Sequence, residues 1–328
     1  MINRRKTKEV SIGNVKIGAN NPIAVQSMCN TKTTDVGKTL KQIDSLTAAG
    51  CEIVRLAVEN SEDIIAFSKI KRKVLVPLVA DIQFDSKLAL GAIDAGADKI
   101  RINPGNTTDF WSVLKYAREK DVAVRVGFNS GSSQGFDFSL LGKIDYHKTV
   151  FAAKDSDVNK TVAAYRKLSK LTDFPLHLGV TEAGTIISGS IKSAIGLGVL
   201  LSEGIGDTIR VSLAGDPVKE VAVAYKILQS LKLRENRVEV IACPTCSRCQ
   251  IDVESIAEKV EEKTADIRNP LKVAVMGCPV NGPGEAKSAD FGISGAKGMG
   301  VIFVKGKIIK QVKEDQIIDE LMYILRTK

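Results

Sequence analysis

This chain has no apolar run of the roughly 18–20 residues that a bilayer crossing needs, and its charged start, MINRRKTKEV, leads into no apolar signal core. The expectation is a soluble, cytoplasmic protein with no membrane partner. Rings are scarce, with one Trp and five Tyr in 328 residues. The basic side chains are not interleaved with stacking aromatics, which argues against a nucleic-acid partner. Histidine is nearly missing too: His147 and His177 stand at no metal-type spacing, and both read as structural. No glycine-rich loop follows the first strand-like run, which disfavours an open dinucleotide-binding sheet.

What is present is charge of one sign and clustered thiols. Lys and Arg number 47 against 38 Asp and Glu, a formal net charge of +9. The basic residues are not blocked into tails. Several fall at strand ends, a placement that suits a small anion better than a long polyanion. Three of the six cysteines fall within seven residues, in IACPTCSRCQID at 241–252. In a reducing compartment such clusters point to metal or redox chemistry rather than disulfides.

The length fits a large domain and a small one. From about residue 22, short β-branched runs alternate with amphipathic helical stretches. The strands read are 22–28, 52–58, 75–82, 98–104, 122–128, 147–154, 175–181 and 207–213. Eight βα units over about 210 residues predict an α/β fold whose first part, 1–234, is a (β/α)8 TIM-type barrel. The polar link NSGSSQGFDFSLLGKIDY between the fifth and sixth strands lacks a helical pattern, so the helix there is reduced or missing. Ahead of the barrel, VSIGNVKIG reads as a hairpin turning at Gly13-Asn14 and closing the barrel floor. From 235 to 328 the order changes to a smaller α+β domain: a strand into the cysteines, a charged helix at 252–264, a strand at 271–277, a hairpin turning near Gly306 and a final amphipathic helix.

Barrels of this kind place their chemistry at the C-terminal strand ends. Read in order, those ends supply Arg55, Asp81, Arg101 with Asn103, Arg125 with Asn129, Lys154, Thr181 with Glu182, and Arg210 with Ser212. Four arginines and a lysine at one mouth would repel each other, and Asp81 and Glu182 are too few to neutralise them. A phosphate or diphosphate would do so, since guanidinium groups grip phosphate oxygens in pairs. Asp81 and Glu182 could also serve as acid, base or orienting groups.

In the small domain, Cys243 and Cys246 form a C-x-x-C pair, Cys249 extends it, and the next strand ends in GCPVNGPGE with Cys278 and Glu285. Parallel strands would bring the two loops side by side. A zinc site and an iron–sulfur cluster both remain open. No histidine or second C-x-x-C completes a zinc set, whereas three cysteines and Glu285 would hold a [4Fe–4S] cluster with one exchangeable corner. Cys29 and Cys51 read as core residues.

CPTCSR, then GCPVNGPGEA some thirty residues on, and ADFGISG beyond it, resemble the 4-hydroxy-3-methylbut-2-enyl-diphosphate synthase family. So do the barrel segments NPIAVQSMCNTKTTD, CEIVRLAV, ADIQFD, KIRINPGN, RVGFNSGS, LGVTEAG and IRVSL, in family order and over nearly the whole chain. The resemblance implies a compact bacterial form without the large plant-type insertion. It implies a [4Fe–4S] cluster on Cys243, Cys246, Cys278 and Glu285, and an electron supply from reduced flavodoxin or ferredoxin. It implies reductive ring opening and dehydroxylation of 2-C-methyl-D-erythritol 2,4-cyclodiphosphate, with the diphosphate held by Arg55, Arg101, Arg125 and Lys154, with Asn129 and Ser212 nearby. Glu182 would be a proton donor. A homodimer is implied, the small domain of one subunit closing over its partner's barrel. Cys249 departs from the family loop and reads as an inert neighbour. The alternative is a non-redox barrel acting on a phosphorylated compound, with a structural zinc in the small domain.

Overall fold

The computed structural model describes residues 2–129, without the Asn129 side chain, and residues 136–235, 237–279 and 289–327. It divides into two compact units, 1–234 and 235–328.

The larger unit opens with a hairpin, β1 (Val10–Ile12) and β2 (Val15–Ile17), paired antiparallel across Gly13. Eight parallel strands follow: β3 (Ala24–Met28), β4 (Ile53–Ala57), β5 (Leu78–Asp81), β6 (Lys99–Ile102), β7 (Ala123–Asn129), β8 (Thr149–Lys154), β9 (His177–Leu178) and β10 (Thr208–Ile209). Their order in the sheet is β8-β7-β6-β5-β4-β3-β10-β9, and a parallel bridge between Phe151 and Leu176 joins the two ends. This is the barrel that the alternation predicts. Most of the strands are shorter than the expected runs, most clearly three of them. The third strand begins at Leu78 rather than 75, leaving Leu75 exposed, and β9 and β10 pair over two residues each.

Helices α1 (Val36–Ala48), α2 (Ser61–Lys71), α3 (Ser86–Asp94), α4 (Phe110–Glu119), α5 (Val158–Leu171), α6 (Ile186–Ser202) and α7 (Pro217–Ser230) return the chain between strands. Asp35, Asn60, Asp85, Asp109, Asp157 and Asp216 each cap the first turn of one with a side-chain oxygen on a free N–H. After β7, the described residues of the connection hold one 3₁₀ turn, Leu141–Lys143, and no α-helix, as the polar link suggests.

Inside the barrel, period-two alternation sorts the side chains by height. At the floor, Val10, Ile12 and Ile17 of the hairpin pack against Ala24, Ile53, Val79, Ala123 and Val150. Each larger apolar side chain sealed there contributes about 1.5–3 kcal/mol. The hairpin thus closes the floor and leaves the opposite end of the barrel for chemistry.

In the smaller unit, β11 (Glu239–Ala242), β12 (Lys272–Met276), β13 (Phe291–Ala296), β14 (Met299–Val304) and β15 (Lys307–Lys313) form one sheet in chain order. The first three run parallel and the last two antiparallel. Helices α8 (Val253–Lys263) and α9 (Ile317–Thr327) pack on a core that includes Val260, Val275, Ile293, Ile302 and Leu321.

Candidate functional site

At the C-terminal end of the barrel strands, Arg55 of β4, Arg101 of β6, Arg125 of β7, Lys154 of β8 and Arg210, just past β10, line one open cleft of about 520 Å³. Asp81 of β5 is the single carboxylate among the described residues of its lining, so five basic side chains face one acid there. Asp81 holds two of them: its Oδ1 accepts from Arg101 Nη1 at 3.2 Å, and its Oδ2 lies 3.7 Å from Arg55 Nε. Arg101 also donates to Gln83 Oε1 at 3.0 Å, and Arg55 Nη2 meets Met28 Sδ at 2.9 Å.

Electrostatics record the crowding. Burial alone would raise the Asp81 carboxyl, but Arg55, Arg101, Arg125 and Arg210 outweigh it and hold the group below the usual carboxylate range. Burial pushes the Arg55 guanidinium down to about 10 against the pull of Asp81. Arg125 is driven further down, by burial and then by Arg55 and Arg101, and its buried Nε and Nη1 have no hydrogen-bond partner. Arg101 Nε and Arg210 Nε are buried and unpartnered as well. Buried donors without acceptors are costly, and several pointing into one cationic cleft call for an anionic occupant.

Two residues that the sequence did not single out shape the cleft. Gly179, two positions along from His177, sits where a Cβ would land on Lys154 Nζ and lie 2.7 Å from the Arg210 carbonyl oxygen. Glycine inside a strand pattern was the available signal. Glu220, buried in α7, accepts from Ser27 Oγ at 2.8 Å, from Leu213 N at 3.0 Å and from Arg210 Nη2 at 3.5 Å. It holds both Arg210 and the loop that carries Ser212, and nothing in its local sequence marked it.

The remaining sequence candidates sort plainly. Ser212 and Thr181 line the cleft. Glu182 does not; its side chain is exposed and its backbone is left-handed at φ +49°. Asn103 is buried outside the cleft lining; its Oδ1 accepts from Gly105 N at 3.0 Å, shaping the turn after β6, while its Nδ2 is buried without a partner among the described residues. Asn129 ends β7 in register with Lys154, but its side chain lies outside the described part, as does the whole of Glu285. His177 is fully buried, with Nδ1 2.6 Å from Thr208 Oγ1, and Cys29 and Cys51 are core residues.

In the smaller unit, Cys243 follows β11, and Cys278 lies two residues past β12, with Ala242 and Val275 paired in register. Two adjacent parallel strands therefore bring their cysteine loops to one sheet edge. Gly277 N–H donates to Cys243 Sγ at 3.1 Å, and Cys246 N–H to Cys249 Sγ at 3.4 Å. A Cβ on Gly277 would strike Cys249 Sγ. Soft sulfur donors served by backbone N–H groups suit a thiophilic centre. Among the described residues, however, no three of His, Cys, Asp and Glu are gathered as a metal site. The thiols share an edge without forming a closed ligand set of their own.

Comparison with known proteins agrees in both units. A model of the GcpE TIM-barrel domain matches residues 7–136 and 133–225, and one of the GcpE protein C-terminal domain matches 239–327. The 4-hydroxy-3-methylbut-2-en-1-yl diphosphate synthase (flavodoxin) of Caldanaerobacter subterraneus subsp. tengcongensis is 51% identical, covering 98% of this chain and 97% of its own. The protein of that name from Geobacter sulfurreducens is 48% identical with 97% of each covered, and that from Bacillus subtilis 47% identical over 97% of this chain and 90% of its own. Among solved structures, dihydropteroate synthase from Stenotrophomonas maltophilia aligns at a TM-score of 0.52 and 12% identity, over 69% of this chain and 98% of its own. A 3-dehydroquinate dehydratase from Geobacillus kaustophilus aligns at 0.52 and 13%, over 70% and 99%. At such low identity these two speak for the barrel fold alone. With one family's models matching both units, and curated members about half identical over nearly its full length, the chain belongs to the GcpE family, the 4-hydroxy-3-methylbut-2-en-1-yl diphosphate synthases.

Proposed function

We propose that this chain is the oxidoreductase that opens the ring of 2-C-methyl-D-erythritol 2,4-cyclodiphosphate and removes a hydroxyl, yielding (E)-4-hydroxy-3-methylbut-2-enyl diphosphate for isoprenoid synthesis. The observation that carries this reading is the five-cation cleft at the barrel mouth. A cyclic diphosphate is a compact, doubly anionic group, and the unpartnered donors of Arg101, Arg125 and Arg210 match its oxygens.

The roles of the chain's own residues follow from their placement. Arg55, Arg101, Arg125, Lys154 and Arg210 bind and orient the diphosphate, with Ser212 and Asn129 as further donors. Asp81 keeps Arg55 and Arg101 in place. Preset cations of this sort also stabilise the charge that develops as the ring oxygen departs. Glu182, exposed just beyond Thr181, is the proposed proton donor. Its left-handed backbone, uncommon for a residue with a side chain, is the strain expected where a loop must aim one group.

The cofactor is a [4Fe–4S] cluster on Cys243, Cys246, Cys278 and Glu285; when bound, it supplies two electrons in turn and a Lewis-acidic iron for the departing oxygen. Cys243 and Cys278 come from one sheet edge, which supports the assignment. Electrons come from flavodoxin or a ferredoxin. The working unit is a homodimer in which the small unit of one subunit serves the partner's barrel. Ile187, Ile191 and Ile195, exposed one turn apart on α6, support a self-associating barrel face.

The test is anaerobic turnover of the cyclodiphosphate with a chemical reductant, followed by product identification, alongside iron and sulfide analysis. Protein that holds zinc without iron, or that leaves the cyclodiphosphate untouched with iron and sulfide in place, overturns the proposal.

A further inference from the structure

Below the cation cleft lies a lysine that no step above uses. Lys99, on β6 two residues before Arg101, is fully buried in the barrel lumen. Its Nζ reaches across to β3 and donates to Gln26 Oε1 at 3.0 Å, its one hydrogen bond among the described residues. An ammonium has three donors to satisfy, so two are left over. The Gln26 amide nitrogen and His177 Nε2 are also buried without partners.

Two cations act on this amine directly, Arg55 from β4 and Arg125 from β7, and Arg101, Lys154 and Arg210 join those two in the cleft above. Of the acids nearby, Asp81 on β5 is already engaged by Arg55 and Arg101, and Glu220 on α7 by Arg210. His177 on β9 is the other titratable group, and beneath lie only the apolar side chains of the floor. Burial, then Arg125 and Arg55, push the Lys99 amine well below its ordinary value. An anion in the cleft above would offset the repulsion from Arg125 and Arg55 and favour the charged amine.

We propose that the charge of Lys99 follows the occupancy of the cleft: a neutral amine under an empty cradle, an ammonium under an occupied one, with one proton drawn from solvent as the anion binds. Lys99 is then a positioning residue. It touches no substrate but completes the neutralisation of a multiply charged ligand from below, and it makes anion affinity depend on pH. The inference rests on reading the cleft as a diphosphate cradle.

Calorimetric titration of the whole chain with inorganic pyrophosphate near pH 8, in two buffers of different ionisation enthalpy, counts the protons exchanged on binding. Wild type should take up about one proton more per anion than Lys99→Met, and its affinity should fall tenfold more per pH unit as pH rises. The pyrophosphate itself exchanges protons alike in both, and making the comparison in a His177→Asn background removes the imidazole on which Lys99 acts, so the difference isolates Lys99. Should thermal melting show Lys99→Met unfolded, Lys99→Gln, which keeps a partner for Gln26, gives the same count. Equal proton counts and parallel pH slopes in proteins that both bind pyrophosphate overturn the Lys99 inference alone. Failure of wild type to bind pyrophosphate overturns the cradle, and the inference with it.

Discussion

Lys154 lays its ammonium over Gly179, in the space that a β-carbon at that position would fill. A glycine on β9's line of the barrel wall thus makes room for a cation delivered by β8. Gly179→Ala should displace Lys154 or push back the Arg210 backbone. Overpacking of this kind costs about 1–3 kcal/mol of stability. Pyrophosphate affinity should drop by roughly tenfold as one charge-assisted contact is lost. Unchanged affinity in a folded variant would show that Lys154 does not grip the anion.

Arg125 has buried donors and no carboxylate of its own. Arg125→Ala should weaken anion binding by about 2–3 kcal/mol, the worth of a charge-assisted contact, with only a small change in melting temperature. Calorimetry and thermal melting separate the two effects. A variant that binds pyrophosphate as tightly as wild type removes Arg125 from the cradle.

The thiols make a graded set. Cys278→Ser should lose the iron and sulfide that wild type holds after anaerobic purification, and with them its brown colour. Cys249→Ser should keep both, because the proposed ligand set of Cys243, Cys246, Cys278 and Glu285 is complete without it. Full iron retention by the first variant, or loss by the second, redraws the ligand set.

Cys29 and Cys51 should behave in the opposite way. Burial pushes both thiols up to about 12, for Cys51 against the pull of its backbone hydrogen bonds. Alkylation of the native protein at pH 8 should therefore spare them, and mass spectrometry after digestion should find them unmodified until denaturant is added. The raised values also set a stability window. Their contribution is present below the unfolded thiol value near 9 and fades as pH climbs from there toward 12.

His177 gives the acid-side counterpart. Burial first, then Lys154 and Arg125, hold its imidazole well below the usual 6.5. The unfolded chain takes a proton there that the folded one refuses, so stability present above pH 6.5 is lost as pH falls below it. The expected slope is up to about 1.4 kcal/mol per pH unit. Denaturant melts of wild type and His177→Asn between pH 7.5 and 5.5 measure it; identical slopes would show that the imidazole is not held neutral.

How much of the site was legible depends on what kind of fact each part is. Arg55, Arg101, Arg125 and Lys154 could be read because each interrupts or ends a β-branched run, and parallel strands of a barrel share one functional end. Asn103 was read on the same ground. It too follows such a run, yet its side chain turns back to bond Gly105, a local choice that an Asx residue can make wherever a turn begins. Glu220 could not be read at all. It serves Arg210 from the first turn of a helix, where an acidic residue has an ordinary reason to be.

The sequence by itself determined the alternation of strands and helices, the cationic strand ends, the thiol spacing and the resemblance, since periodicity, composition and motif all lie along the chain. Only the tertiary structure decided which inward positions share a height in the lumen. That depends on the stagger between strands, which brings Lys99 to Gln26 across 73 residues and sets Gly179 under Lys154. A one-residue change of register would turn those side chains to the other face of the wall, with no trace in composition or spacing.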